Sequence, residues 1–80
     1  GNDNLKVSLD DNRQMKEDID WFIENKHKDE WKDKIDKDLG NDKDKLLAIC
    51  FSVKKWGTIS DRQAKWINRI RKFRETYENK

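Results

Sequence analysis

Eighty residues, 45% charged and 32% hydrophobic, leave room for one domain with a small core built from a few large side chains, among them four Trp and three Phe. The absence of Pro and the presence of only three Gly disfavour a turn-rich β fold, and a single cysteine excludes an internal disulfide or a cysteine-based zinc site. A net charge of +2 conceals a division: residues 1–44 carry 9 basic and 14 acidic side chains (net −5), and residues 45–80 carry 10 and 3 (net +7).

Residues 1–9 read as an N-terminal arm. Leu5, Val7 and Leu9 alternate in it, as an extended segment that docks on the rest would. An initial Gly without Met points to a processed chain or a fragment, and the opening Gly1-Asn2-Asp3-Asn4 has no secretory character. Residues 10–80 read as a single helical domain. Its first helix is expected over 11–25, where Met15, Ile19, Phe22 and Ile23 share one face and Asp10 or Asp11 supplies the N-cap. The second is expected over 28–39. Trp31, Ile35 and Leu39 recur there every four residues between charged ones, a narrow stripe suited to the edge of a bundle. Gly40 ends it, and Asn41 or Asp42 caps the next helix.

The third helix, over 43–56, carries Leu46, Leu47, Ala48, Ile49, Cys50, Phe51, Val53 and Trp56 on more than half its circumference. Such a helix is expected at the centre, with neighbours on most sides. Gly57 ends it. The fourth, over 61–78, opens with a capping box in which Ser60 and Gln63 serve each other's backbone N–H, with Ile59 and Ala64 placed as a hydrophobic staple. Trp66, Ile70, Phe73 and Tyr77 then form a seam, with Ile67 beside it. The fold class expected is all-α: a compact, mobile four-helix bundle.

Two features bear on function. At about 100° per residue, Arg62, Lys65, Arg69 and Lys72 form a basic stripe beside the seam of the fourth helix. Arg74 flanks the seam on its other side, Arg71 projects away, and Lys54 and Lys55 extend the surface from the end of the third helix. A solvated helix face would have the same pattern. The scarcity of counter-charge (Asp61, Glu75 and Glu78 alone) favours phosphate binding. Among the tryptophans, Trp31, Trp56 and Trp66 fall on or beside apolar stripes and read first as core. Trp21 is the first candidate for base stacking and Trp56, next to the basic surface, the second. His27 reads as an exposed loop residue and Cys50 as core. No metal site, phosphate loop, nucleophile motif or paired-carboxylate signature is present, so neither catalysis nor a cofactor is expected.

The run Leu46-Leu47-Ala48-Ile49, followed by Trp56-Gly57-Thr58-Ile59-Ser60-Asp61-Arg62-Gln63-Ala64-Lys65-Trp66-Ile67, resembles a pattern in phage DNA-metabolism proteins. An apolar helix, a glycine turn, a Ser-x-x-Gln cap and a Trp-containing helix follow one another there. In its lysine- and aspartate-rich style it resembles the small C-terminal module of the UvsW recombination helicases of T-even bacteriophages. The resemblance covers about Lys45 to Arg74. It implies a mobile four-helix bundle like the HRDC module, the accessory nucleic-acid-binding domain of RecQ-type helicases. It also implies a role in recombination, repair and rescue of stalled forks. The chain has none of the motor motifs and no Gly-containing helix–hairpin–helix, so the process is carried over and the ATP-driven activity is not.

The function expected is therefore that of a non-catalytic accessory module binding branched or single-stranded DNA through phosphates. The rival reading is a protein-docking module, its basic stripe receiving the helicase motor or an acidic tail such as that of a single-stranded-DNA-binding protein. The longest mainly apolar run, Leu46 to Val53, is too short to cross a membrane. A monomeric, soluble intracellular domain is expected, in the host cytoplasm if phage-encoded.

Overall fold

Two glycines and the capping box set the boundaries between elements. The structure, a computed structural model, describes residues 6–78. Strand β1 (Lys6–Ser8) leads through a 3₁₀ turn (Leu9–Asp11) into α1 (Arg13–Asn25), α2 (Asp29–Leu39) and α3 (Asp42–Trp56). Strand β2 (Thr58–Ser60) and α4 (Asp61–Glu78) follow. The result is an all-α bundle of four helices with a short two-stranded antiparallel ribbon at one end. Gly57 leaves α3 in the left-handed region (φ +73°, ψ +13°), and its N–H donates to the Val53 carbonyl at 2.8 Å. A side chain at that φ would be strained, which accounts for glycine there. The capping box forms as expected: the Gln63 N–H donates to Ser60 Oγ at 3.2 Å, and the Ser60 N–H to Gln63 Oε1 at 2.9 Å.

The described part of the arm is strand β1; Leu5 lies outside the described residues. Val7 pairs with Ile59 and Ser8 with Thr58, and the Leu9 N–H donates to the Gly57 carbonyl at 2.9 Å. Leu9 and Ile59 are both buried, so the ribbon closes one end of the core. Asp10 and Asp11 are not caps of α1. They form the 3₁₀ turn, and α1 starts two residues later than expected, after Asn12, whose Nδ2 donates to the Ser8 carbonyl at 3.3 Å.

The core follows the predicted stripes. Ile19 and Phe22 of α1, Ile35 and Leu39 of α2, and Ile67, Ile70 and Phe73 of α4 are buried, together with Leu46, Cys50 and Val53 of α3. One expectation needs correction: α3 is not covered on most sides. It touches α1, α2, α4 and β2, but through a single stripe, and it leaves Phe51 53% and Trp56 69% exposed. Phe51 is one residue beyond Cys50, about 100° further round the helix, which turns it to solvent.

The Lys43 ammonium of α3 meets the Asp36 carboxylate of α2 and helps close that helix pair. The hydrogen bond to Lys43 holds the Asp36 carboxyl below its ordinary value, and the same bond raises Lys43. The Asp36 contribution is therefore fully present above the ordinary carboxylate value and lost as pH falls through the lowered one. The Lys43 contribution is fully present below the ordinary ammonium value and lost as pH rises through the raised one. In urea unfolding, Asp36→Asn should be less stable than the parent at neutral pH. The difference should vanish in acid below the lowered Asp36 value; a difference independent of pH would contradict the assignment.

Candidate nucleic-acid interface

The basic half of the chain does not present all its charge to solvent. Much of it is neutralised by the acidic half across the bundle. Asp18 of α1 is 1% exposed, and both its oxygens are held by arginines of α4. Arg71 donates to Oδ2 from Nε at 3.2 Å and from Nη2 at 3.0 Å, and Arg74 donates from Nη1 to Oδ1 at 2.9 Å. Arg74 also donates to Glu78 from Nε at 2.6 Å and lies 3.6 Å from Glu17. Burial alone would lower its guanidinium, but the hydrogen bonds to Glu78 and Asp18 outweigh it and raise it instead. Arg71 does not project away, and Arg74 is not part of an open basic surface. With its side chain 18% exposed, Arg74 is committed to the α1–α4 contact.

Two more of the expected binding cations are paired. Lys54 Nζ lies 2.9 Å from Asp20 Oδ1 of α1, at an angle that makes it an ion pair and not a directed hydrogen bond. Lys45, in contrast, leans the other way, its ammonium 4.8 Å from the Trp66 ring of α4. The two lysines are nine residues apart, about 180° round the helix, so Lys54 does not extend the α4 surface. Arg69 donates from Nη1 to Asp42 Oδ2 at 2.9 Å, with its guanidinium over the Trp66 ring at 5.4 Å. It remains on the stripe but carries a counter-charge.

Arg62, Lys65 and Lys72 are exposed and have no ion-pair partner among the described residues. They share the flank of α4 that bears Arg69, while Arg71 and Arg74 occupy the flank facing α1. Trp56 is the second part of the site. Its ring is the most exposed large apolar group among the described residues, with the Lys55 ammonium 5.3 Å from its centroid. It lies about 20° round α3 from Lys45, on the flank turned to α4. The expectation that Trp56 is core is corrected by this exposure, whereas Trp31 and Trp66 pack against the core as half-buried rings.

Trp21 is engaged inside the fold. It meets Trp31 edge-on at 5.1 Å and Phe73 at 5.9 Å, and the Arg74 guanidinium covers it at 5.3 Å. Of the two stacking candidates, Trp56 is the one with an open ring.

Burial pushes the Cys50 thiol up to about 12, which keeps it protonated and unreactive in the folded state. His27 is exposed in the turn between α1 and α2. Among the described residues, no group of three or more His, Cys, Asp or Glu could hold a metal ion, and no helix is long and apolar enough to cross a membrane. The chain matches no protein-family model, no curated protein and no solved structure.

Proposed function

We propose that this chain is a non-catalytic accessory module that binds nucleic acid through phosphate contacts from α4, in the service of a phage recombination or repair helicase. The helicase setting rests on the sequence resemblance. The binding itself is supported by one observation above all: among the described residues, Arg62, Lys65 and Lys72 have no carboxylate partner in a bundle that pairs Lys54, Arg69, Arg71 and Arg74. A row of uncompensated cations along one helix flank tracks a phosphate backbone without reading its sequence. Trp56 supplies a π-face, which every base can stack on.

The test is a titration of a labelled single-stranded oligonucleotide at low salt, followed by anisotropy, with the parent chain and Trp56→Ala. Loss of a base–aromatic stack costs about 1–3 kcal/mol, so Trp56→Ala should weaken single-strand binding by about fivefold or more. Helicity should be unchanged, because the ring is largely outside the core. Equal affinity of the two proteins would remove Trp56 from the site, and absence of binding by the parent would remove the function.

A further inference from the structure

The face of α3 opposite Leu46, Cys50 and Val53 is turned to solvent. Asp44, Ala48, Phe51 and Lys55 are all exposed there. Their spacings of four, three and four place them in one stripe within an arc of about 60°. The Phe51 ring stands open near the middle of the stripe. The ends carry opposite charges, with Asp44 in the first turn of the helix and Lys55 in the last. The Asp44 side chain is 78% exposed and lies 3.8 Å from Lys26, a loose pair that leaves most of the carboxylate in water. Lys55 has no ion-pair partner among the described residues, and its ammonium lies 5.3 Å from the centroid of the neighbouring Trp56 ring.

We infer that this stripe is a contact between two copies of the chain, with α3 packed antiparallel on the α3 of a second copy. The stripe is its own complement. A two-fold axis crossing α3 between Ile49 and Cys50 sets Asp44 against the partner's Lys55 and Ala48 against the partner's Phe51, and each pair occurs twice. The small Ala48 side chain leaves room for the facing aromatic ring. The two ion pairs then close the contact at ends about 16 Å apart, and the helix dipoles oppose one another. A parallel pairing would bring Asp44 to Asp44 and Lys55 to Lys55, so both ends would repel. The same balance disfavours a uniformly charged occupant. A polyanion attracted by Lys55 meets Asp44 three turns away, and a polycation meets the reverse. One helix face is smaller than the roughly 1,200–2,000 Å² of a stable interface, so the dimer is transient. The monomer expected from the sequence is one partner in that equilibrium.

This contact does not rest on the nucleic-acid reading: it uses none of the α4 stripe, and its test contains no nucleic acid. Sedimentation equilibrium of the full chain, up to about 1 mM, should show an average mass that rises from monomer towards dimer with concentration. Phe51→Ser should weaken self-association about tenfold or more and keep the parent's helicity, since the ring lies outside the core. Asp44→Lys and Lys55→Asp should each be monomeric alone, because like charges then meet at both ends of the contact. Mixed in equal amounts, the two variants should associate, since each end of the mixed pair joins a lysine to an aspartate. A parent chain that stays monomeric at the highest concentration would overturn the proposal, as would a mass that grows beyond the dimer, which a closed two-fold contact does not allow. So would self-association that Phe51→Ser leaves unchanged, or charge variants that associate no better mixed than alone.

Discussion

Asp18→Ala should come close to unfolding the bundle. The substitution removes the shared partner of two arginines whose side chains are 30% and 18% exposed, and leaves them facing a cavity among α1 and α4 side chains. Breaking a buried pair by deleting one partner costs about 3–5 kcal/mol, because the remaining charge keeps its desolvation penalty and loses its compensation. A domain of this size has total stability toward the low end of the usual range of about 5–15 kcal/mol, so the loss takes most of it. Arg74 retains Glu17 and Glu78 as partners, whereas Arg71 has no other ion-pair partner among the described residues, so the greater part of the penalty falls on Arg71. Asp18→Asn keeps the shape and two acceptor lone pairs, and should be destabilised less than the alanine variant. Urea unfolding followed by circular dichroism measures both. A midpoint for Asp18→Ala within error of the parent would show that the Asp18–arginine cluster contributes nothing to the fold.

Reversal of the three α4 cations that have no ion pair among the described residues, Arg62→Glu, Lys65→Glu and Lys72→Glu together, should have the opposite profile. None of the three is in an ion pair among the described residues and all are exposed, so the unfolding midpoint should change little. Binding to an oligonucleotide should be lost. Three attractive contacts become three repulsive ones on one helix flank, and the remaining cations of α4 are tied to Asp42 and Asp18. Reversal of Arg74 should instead lower stability, because its charge is part of the fold. The contrast separates binding charge from structural charge on a single helix.

What could be read from the sequence is what depends on local spacing. The Ser60–Gln63 box and the Gly57 turn involve residues within a few positions of one another, so their geometry follows from residue order. The seam of α4 follows from helical periodicity in part: Ile70 and Phe73 are buried as the spacing places them, with Ile67 beside them, while Trp66 and Tyr77 at its ends are half-buried. The role of Arg71 depends on which way α1 packs against α4, a contact across 53 positions in the chain, and no spacing rule specifies it. The same holds for Lys54 and Asp20 and for Arg69 and Asp42. The charge division between the halves was the available signal for this pairing. An acidic half and a basic half can attract each other before either attracts a partner, and here they do.

The exposure of Trp56 escapes residue spacing for a related reason. Trp56 shares a flank with the apolar residues of α3 but is the last residue of the helix, where Gly57 turns the chain away and leaves the ring uncovered. The residues of β1 read in sequence only as part of an extended arm, because their partner β2 is three residues long and reads only as the approach to a helix cap.

The central claim is that the α4 cations left unpaired by the fold, Arg62, Lys65 and Lys72, form a phosphate-binding surface. The measurement that tests it most directly is the affinity for a single-stranded oligonucleotide at a series of salt concentrations, for the parent chain and for the triple charge-reversal variant. At about 0.7 counterions released per phosphate contact, three or four contacts give a slope of log affinity against log salt of about −2 to −3 for the parent. The variant should give no measurable binding across the series. Binding by the parent that does not weaken as salt rises, or that survives in the triple variant, would contradict the account.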